Sequence, residues 1–582
     1  MAVAVAGVLV LVSGSAASVG PASRAPAHAR LVPAGGDPSG EGHRDVEGRA
    51  GGAVELDGAH LTMAQMSAVF RGTSGPITLA DSAAAGMTRI RGGALAALGE
   101  GQRVYGWNQA LGPLKNNALT DAEQVEFQKH ILRSHAAGTG PELSTGVARL
   151  ALVLRANAMA RGHMGVRPEM VRRMLALVNA KVTPVMPAIG SLGTGDLQPM
   201  AAAGLVLTGD GATARLDGGE PGPAGDVLAR AGLSRTFELQ AGEALPLISG
   251  SGVLTARYVG SVLRSEAFLD QFEGAFALFM EATRAEAGSL DARTHAERRI
   301  PAEEYEAGVL STLTEGSEWM TEQGRARYGE TAPRIQDAVS VRSTPHIAGT
   351  LRQTLGEAVA IIEREANSST SNPLVFERSD GTHEFVMGGN YDDAQIGHAV
   401  DTLNAQVTDV AVLSHELSAR LIASKWSYGL PDNLAGPPVG LNSGMVQVQT
   451  VAAALVPEMQ VRAMPAGVLS RPEKFGQEDH NTMAMASERN LDDNLERAEI
   501  ILAVHFLLAA QGIDSARPQM GNLALGKRTA ELHARFRQHV PELGEDRWMT
   551  PDVDKAVALV THEHLRTTPP PATPPQSVPH PR

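Results

Sequence analysis

The chain has 582 residues and a formal net charge of −14, with 43% hydrophobic, 20% charged and only 4% aromatic residues. That length exceeds one ordinary domain, and the composition is typical of a globular protein with a large core. The negative charge disfavours a nucleic-acid partner, because phosphates would be repelled. The sequence contains no cysteine, which excludes disulfides, thiolate catalysis and cysteine-bound metals.

The first 50 residues are rich in Gly, Ala, Pro and Arg and show no hydrophobic periodicity, which predicts a leader or a disordered segment. A weak apolar run from Ala2 to Ala17 precedes Ala27-His28-Ala29, a signal-peptidase pattern, but no basic residue comes before the run. We therefore expect a cytoplasmic protein, with secretion as the alternative. Elsewhere no stretch reaches the ~18–20 uninterrupted apolar residues of a membrane span, so we expect no membrane partner.

Helical periodicity dominates the middle of the chain. Pro168 suits the first turn of one helix, and the apolar run from Asn494 to Gln511 predicts a helix buried in a bundle. Another helix should begin after Ser144 or Thr145 as its N-cap. Its apolar residues recur at the i, i+3, i+4 and i+7 spacing of one helix face; they are Val147, Leu150, Ala151, Leu154 and Ala158.

These patterns predict an all-α fold with a long central helical bundle. We expect an N-terminal lobe over residues 51–250, which carries a glycine-rich loop. The bundle and the C-terminal helices should occupy residues 251–566. Residues 567–582 are dense in proline, which predicts a disordered tail.

A series of sequence blocks resembles the aromatic amino acid ammonia-lyases, and most closely their histidine ammonia-lyase branch. Any one block is a weak signal, but their common order along about residues 50–565 indicates a shared fold. The blocks are Val104-Tyr-Gly106, residues 134–138 (SHAAG), 154–162 (LRANAMARG), 182–187 (VTPVMP), 190–197 (GSLGTGDL), Gln336-Asp337 with Ser340 and Arg342, Glu365-Ala-Asn367 to Asn372-Pro-Leu374, 477–480 (QEDH) and 508–514 (LAAQGID).

The resemblance implies a mostly helical subunit, similar in architecture to aspartase and fumarase, and a homotetramer whose active sites combine loops from several subunits. It also implies elimination of ammonia from a histidine-like or aromatic α-amino acid. The family's electrophile is a methylidene-imidazolone group (MIO), which forms when an Ala-Ser-Gly tripeptide cyclises and loses water. The corresponding segment here is Gly193-Thr194-Gly195.

The resemblance also assigns roles to individual residues. Tyr105 matches the catalytic base, although a phenol with a pKa near 10 must be activated to act at neutral pH. Arg342 and Asn372 match a clamp for the substrate carboxylate, and Gln336 matches a polar residue that orients the substrate or a loop. Two further residues, His135 and Glu478, match the pocket that distinguishes the histidine branch.

Several positions depart from the family pattern. Thr194 stands where the electrophile needs serine, and the segment from Gly190 to Asp196 is one residue short, which removes up to about 3.3–3.6 Å of reach from a tight turn. Ser249 replaces an asparagine that hydrogen-bonds the prosthetic ring. Val339 replaces a tyrosine, and Tyr391, which leads Tyr391-Asp392-Asp393, replaces a phenylalanine that packs against the group. We therefore expect that the standard electrophile is altered or absent.

Three hypotheses follow. The leading one is an ammonia-lyase acting on a histidine-like or aromatic α-amino acid. The second is a relative without MIO that catalyses a different elimination, addition or cyclisation, for instance with a better leaving group than ammonia. The third is a non-catalytic paralogue that binds a ligand; retention of a base and a carboxylate clamp argues against it.

Two other site types are disfavoured. The loop at 190–195 lacks the Lys-Ser/Thr of a phosphate-binding loop. His562 and His564 are spaced too closely for two ligands on one helix face, and the adjacent acids Asp392 and Asp393 are more typical of a solvated surface than of a cation site. The sequence therefore predicts a small-molecule substrate and no metal.

Overall fold

The computed structural model describes residues 51–567, except for residues 331 and 333. The expected leader at 1–50, with its cleavage pattern, and the expected tail beyond residue 567 lie outside the described residues. The described residues belong to one compact unit. The boundary that we placed at residue 250 falls just before the long helix Gly252–Thr283. Helices on both sides of this boundary contribute to one hydrophobic core.

The all-α prediction is confirmed, because helices form most of the described chain. In chain order the α-helices are α1 (Met63–Arg71), α2 (Asp81–Gly99), α3 (Asp121–His135), α4 (Thr145–Ala160), α5 (Pro168–Asn179), α6 (Leu197–Thr208), α7 (Ala224–Arg230), α8 (Ala244–Ile248), α9 (Gly252–Thr283), α10 (Ala292–Arg298), α11 (Pro301–Leu313), α12 (Glu322–Arg327), α13 (Val339–Arg342), α14 (Thr344–Ala366), α15 (Ala394–Leu421), α16 (Val446–Arg462), α17 (Ala484–Met520), α18 (Lys527–Arg537) and α19 (Thr550–Thr561). Short 3-10 turns span Gly112–Leu114, Ala287–Leu290, Asp432–Leu434 and Lys474–Gly476.

The described residues also form small sheets of two or three short strands. The strands are β1 (Val54–Leu56), β2 (Ile77–Leu79), β3 (Thr139–Glu142), β4 (Val182–Pro184), β5 (Pro187–Ile189), β6 (Thr213–Leu216), β7 (Gly222–Pro223), β8 (Leu374–Glu377) and β9 (His383–Val386). β1 and β2 pair in parallel, whereas β3–β5, β4–β6–β7 and β8–β9 are antiparallel. The β3–β5 pair ends beside the glycine-rich loop, so it fixes where that loop begins.

The core is a bundle of the long helices α9, α14, α15 and α17. α17 has 37 residues and is long and apolar enough to cross a membrane, but 83% of its most apolar window is buried among the other helices. It therefore has the character of the central helix of a folded core. His505 of α17 lies against the rings of Phe272 and Phe279 of α9 and bonds Ser414 of α15, which joins three bundle helices at one point.

The local sequence signals explain where several helices begin. The Ser144 hydroxyl accepts a hydrogen bond from Val147 N at 3.2 Å, so Ser144 is the N-cap of α4, as one of the two predicted candidates. α5 begins at Pro168 as predicted. The predicted helix over 494–511 is confirmed but lies inside the longer α17, since burial on most faces continues in both directions.

Candidate active site

A cavity of about 360 Å³ opens between the ends of α3 and α8, the glycine-rich loop and the segment before α17. Seven of the residues that the sequence analysis proposed for the site line it together. They are Tyr105, His135, Thr194, Ser249, Asn372, Tyr391 and Glu478. Because these residues come from distant parts of the chain, their convergence is a property of the fold and was not imposed by sequence proximity.

Tyr105 lies at one wall of the cavity. Its hydroxyl oxygen accepts a hydrogen bond from the backbone N–H of Gly112 at 2.8 Å. Burial raises the pKa of Tyr105, the Gly112 hydrogen bond opposes that shift, and the nearby charge of Glu478 raises the pKa further. The phenol is therefore protonated at neutral pH in the isolated chain, and a base at this position requires alkaline pH or a cationic neighbour.

Two other residues that line the cavity present hydrogen-bond acceptors. His135 Nδ1 donates to the carbonyl oxygen of Ile131 at 2.8 Å, which leaves Nε2 as the acceptor nitrogen of the neutral ring. Burial lowers the pKa of His135, which favours that neutral form. One carboxylate oxygen of Glu478 lies 3.6 Å from Lys474 Nζ, and the other is buried without a hydrogen-bond partner in the described part of the chain. An imidazole-like ring with N–H groups could satisfy such acceptors.

The glycine-rich loop is closed by a serine. Ser191 Oγ accepts a hydrogen bond from Gly193 N at 3.0 Å and donates to Gly195 O at 3.1 Å. Gly193 and Gly195 have φ values of +86° and +82°, in the left-handed region that favours glycine. The turn therefore holds the Thr194 side chain at the cavity wall.

The carbonyl of Gly193 is polarised from two sides. Its oxygen accepts hydrogen bonds from Thr482 Oγ1 at 2.7 Å and from Asp393 N at 3.2 Å. Thr482 N also donates to Thr194 Oγ1 at 3.3 Å. The loop is thus held by the starts of two bundle helices, α15 and α17, which begin directly after Asp393 and Met483.

Asp196 anchors the loop to the bundle. Its Oδ2 accepts hydrogen bonds from Val253 N at 2.7 Å and Leu254 N at 3.0 Å, in the first turn of α9. These amides have no partner within their own helix, and the helix N-terminus favours an anion. Burial raises the pKa of Asp196 to about 6, while the amides and the buried guanidinium of Arg155 act in the opposite direction.

Asp393 is the unusual acid of this region. It is fully buried, and neither carboxylate oxygen has a hydrogen-bond partner among the described residues. Burial raises the pKa of Asp393 well above its ordinary value, and the negative charges of Asp196 and Glu365 add to the shift. Ionisation of Asp393 is therefore disfavoured, because a lone buried carboxylate would be strongly destabilised.

The loop does not fit the MIO group that the resemblance implies. A Cβ added at Gly193, as in the family's alanine, would come within 2.6 Å of Thr482 Oγ1 and 2.7 Å of Ala484 Cβ. The threonine at 194 also carries a methyl group on the carbon that is an unsubstituted methylidene in the standard group. Ser249 stands where the resemblance implies an asparagine that contacts the ring. Its Oγ would lie 3.6 Å from a Cβ added at Gly195.

Two proposed residues lie away from the cavity of this chain. Arg342 ends α13, and its Nε donates to Asp337 O at 2.8 Å. Gln336 is exposed on the same segment. The apolar side chains of Ile335 and Val339 beside them are 91% and 65% exposed. In a single chain the cavity therefore has Asn372 of the predicted carboxylate clamp but lacks the guanidinium of Arg342. The roles that the resemblance assigns to the site residues stay predictions.

The structure also places residues that the sequence analysis missed. Lys474 and Phe127 line the cavity, and Thr482 contacts the loop. Lys474 lies four residues before Glu478, and this spacing of opposite charges could have indicated their ion pair. Nothing in the sequence around Phe127 or Thr482 indicates that these two residues belong to a site. Asp393, considered above only as a surface acid, is instead buried.

The chain is similar in sequence and in fold to known proteins. The sequence description of the aromatic amino acid lyase family matches residues 61–538. Histidine ammonia-lyase of Anaeromyxobacter sp. (strain K) is 35% identical over 511 residues, which cover 87% of this chain and 98% of that protein. The crystal structure of histidine ammonia-lyase from Trypanosoma cruzi has a TM-score of 0.77 at 30% identity and covers 88% of this chain and 94% of that one. Tyrosine aminomutase from Streptomyces globisporus has a TM-score of 0.80 at 29% identity, covering 88% and 97%.

The crowding at the loop can be measured with two alanine substitutions. Gly193→Ala and Gly195→Ala both force a non-glycine residue into the left-handed region, but a Cβ at Gly195 meets nothing closer than 3.6 Å. We expect Gly193→Ala to lower the free energy of unfolding by about 1–3 kcal/mol more than Gly195→Ala, because only the former overpacks the site. Denaturant unfolding of both variants tests this. Equal losses would show that Thr482 and Ala484 move aside freely.

Proposed function

Because this chain belongs to the aromatic amino acid lyase family, we propose that it is a carbon–nitrogen lyase that eliminates ammonia from a histidine-like or aromatic α-amino acid. The observation that carries the proposal is the single cavity that gathers Tyr105, His135, Asn372 and Glu478 around the glycine-rich loop. The proposal assigns these residues to three tasks of the reaction. These tasks are removal of the β-proton, retention of the carboxylate and recognition of the ring.

In this mechanism Tyr105 removes the β-proton of the substrate. The Gly112 N–H stabilises the phenolate oxygen, and a cationic substrate amine would offset the unfavourable charge of Glu478. The Asn372 amide binds the substrate carboxylate. His135 Nε2 and the unpartnered oxygen of Glu478 accept hydrogen bonds from the ring, which orients the β-carbon towards Tyr105. Thr194 lies on the loop where the amine would leave.

We further propose that the active site is completed in a homotetramer by Arg342 and Gln336 of another copy. The support is that these residues lie on a segment with exposed apolar side chains, Ile335 and Val339. Exposed apolar groups of this kind mark association surfaces. A guanidinium delivered to the Asn372 side of the cavity would complete the carboxylate clamp with a charge-assisted hydrogen bond.

One observation favours a second candidate function. Ammonia is a poor leaving group, and the loop does not fit the standard electrophile because of Thr194 and the crowding at Gly193. A reaction that needs no electrophile would accommodate this loop. That reaction would be a different elimination, addition or cyclisation, with the same base and a better leaving group than ammonia.

Replacing the base should remove turnover. We expect Tyr105→Phe to lower kcat/KM by about 10²–10⁴-fold, the usual contribution of a positioned general base. In the unsubstituted enzyme kcat/KM should still be rising at about pH 9, because burial raises the pKa of Tyr105 above the ordinary phenol value near 10. The rate is measured with histidine and with aromatic amino acids. Tyr305→Phe, outside the cavity, is the matched control, and full activity of Tyr105→Phe would remove this residue from the mechanism.

The mass of the loop separates the two candidate functions. Ammonia elimination in the family's form would require the loop to cyclise into an electrophile, in which case a peptide spanning residues 190–196 would weigh less by two water molecules than its sequence requires. Near-ultraviolet absorbance should fade after borohydride treatment. Thr194→Ala is the control, since it has no side-chain hydroxyl to lose. An unmodified loop in an active enzyme would reject ammonia elimination in its family form and leave the second candidate.

Sharing of the site between subunits can be tested by complementation. Tyr105→Phe and Arg342→Ala should each be inactive alone, but hybrids assembled from both variants should regain activity. Random assortment in a symmetric oligomer leaves about a quarter of the sites with both native residues. Activity is compared with that of hybrids assembled from Tyr105→Phe and unsubstituted chains. Hybrids of the two variants that stay inactive would show that one chain supplies both residues.

A further inference from the structure

A second group of chemically capable side chains lies outside the cavity, where three segments of the chain meet. His295 comes from α10, Glu303 from the first turn of α11 and His346 from the first turns of α14. One ring nitrogen of each histidine and one carboxylate oxygen of Glu303 all lie within 4.8 Å of one another. The sequence analysis predicted no metal and did not single out these three residues, which share no ligand spacing in the sequence.

His295 is the least easily explained member of the group. It is 2% exposed, and its Nε2–H donates to the carbonyl oxygen of Ser289 at 2.9 Å. That bond fixes the tautomer and leaves Nδ1 as a bare acceptor. Nδ1 is buried and has no hydrogen-bond partner within the described residues. An unsatisfied buried acceptor costs about 1–3 kcal/mol, so its retention requires a reason.

Glu303 lies between the two histidines and is also buried. Its Oε2 accepts a hydrogen bond from His346 Nδ1 at 2.7 Å, and its Oε1 lies 3.3 Å from Arg298 Nη2. Ordinary pairing of the Glu303 carboxylate with His346 and Arg298 accounts for these two contacts. It does not account for the free nitrogen of His295, whose ring centroid is only 5.2 Å from that of His346.

The backbone is arranged to bring His346 to this place. A Cβ added at Gly349 would lie 2.8 Å from Glu303 Cα, so only glycine permits this approach of α14 to the start of α11. His346 and Gly349 are three residues apart and therefore share one face of α14. The close approach at Gly349 thus presses the His346 side chain against Glu303.

We propose that His295, Glu303 and His346 bind one divalent transition-metal ion of the zinc class. Two imidazoles and one carboxylate are a known zinc ligand set, and nitrogen donors disfavour magnesium and calcium. Ligand atoms around a tetrahedral zinc lie about 3.3–3.4 Å apart. The three ligand atoms, now within 4.8 Å of one another, would have to close to that spacing, and His346, whose side chain is 33% exposed, is the ligand with most room to move.

The surroundings also suit a metal. The His295 Nε2–H bond to a backbone carbonyl is the support that metal-binding histidines commonly have, and Arg298 supports the carboxylate of Glu303. The ion would join α10, α11 and α14, and the His346 ligand lies four residues after Arg342. Binding therefore stabilises the fold next to that segment, whether or not the proposed lyase function is correct.

The experiment uses the full chain after removal of any affinity tag. Zinc binding is followed by isothermal titration and by the melting temperature, and Co²⁺ is the spectroscopic probe of coordination geometry. We expect one tight site per chain, a higher melting temperature with zinc, and a visible Co²⁺ spectrum of a nitrogen–oxygen tetrahedral site. Glu303→Gln and His346→Gln should each weaken zinc binding by more than about 10-fold, since even residues that only support metal ligands contribute 10–100-fold.

His346→Gln keeps the test valid if substitution of the buried His295 disturbs folding, because His346 is partly exposed. His539→Asn is the matched control, since His539 is exposed and remote in the sequence from the three ligands; it should bind zinc as the unsubstituted protein does. Absence of a stoichiometric site, or zinc binding unchanged in both Glu303→Gln and His346→Gln, would overturn the proposal. Lyase activity is not the readout, so its absence leaves this test unaffected.

Discussion

The candidate active site depends on the attachment of one loop to the end of one helix. Asp196 closes the glycine-rich segment and at the same time accepts the first-turn amides of the 32-residue helix α9. The long helix cannot move without its neighbours in the core, so the loop takes its position from the whole bundle. Burial of Arg155 lowers its pKa to about 9, yet its positive charge still favours the Asp196 carboxylate.

The electrostatics of the region are dominated by acids. The buried Asp196 and the partly buried Glu365 lie close enough to the buried Asp393 for their charges to disfavour its ionisation, and the pKa of Glu365 is itself raised, mainly by desolvation. Such a group accommodates one negative charge, at Asp196, where amides and Arg155 stabilise it. The acceptors of His135 and Glu478 line the same cavity, which agrees with the proposed substrate, an amino acid that carries N–H groups and a positive charge.

The single chain holds an incomplete version of the proposed machinery. The base, the ring-binding acceptors and the loop line one cavity, whereas Arg342 and Gln336 lie on a segment beside exposed Ile335 and Val339. In the homotetramer that we propose, a clamp divided between copies would make activity depend on assembly. Such a division would also separate two functions of the site. Changes at the loop, such as Thr194 and the tight contact at Gly193, could alter the leaving-group chemistry without disturbing the segment that would hold the carboxylate.

The sequence by itself determined the helical class, a cap at Ser144 or Thr145, the start of α5 at Pro168 and seven of the residues that line the cavity, because these depend on local propensity or on ordered motifs. It could not decide that Thr482 and Asp393 hold the Gly193 carbonyl, that Asp393 is buried, or that His295 faces Glu303 and His346. The hydrogen bond between His346 and Glu303 spans 43 positions of the chain, and that between Thr482 and Gly193 spans 289. Only the packing of the bundle, through close approaches such as that at Gly349, brings them within reach.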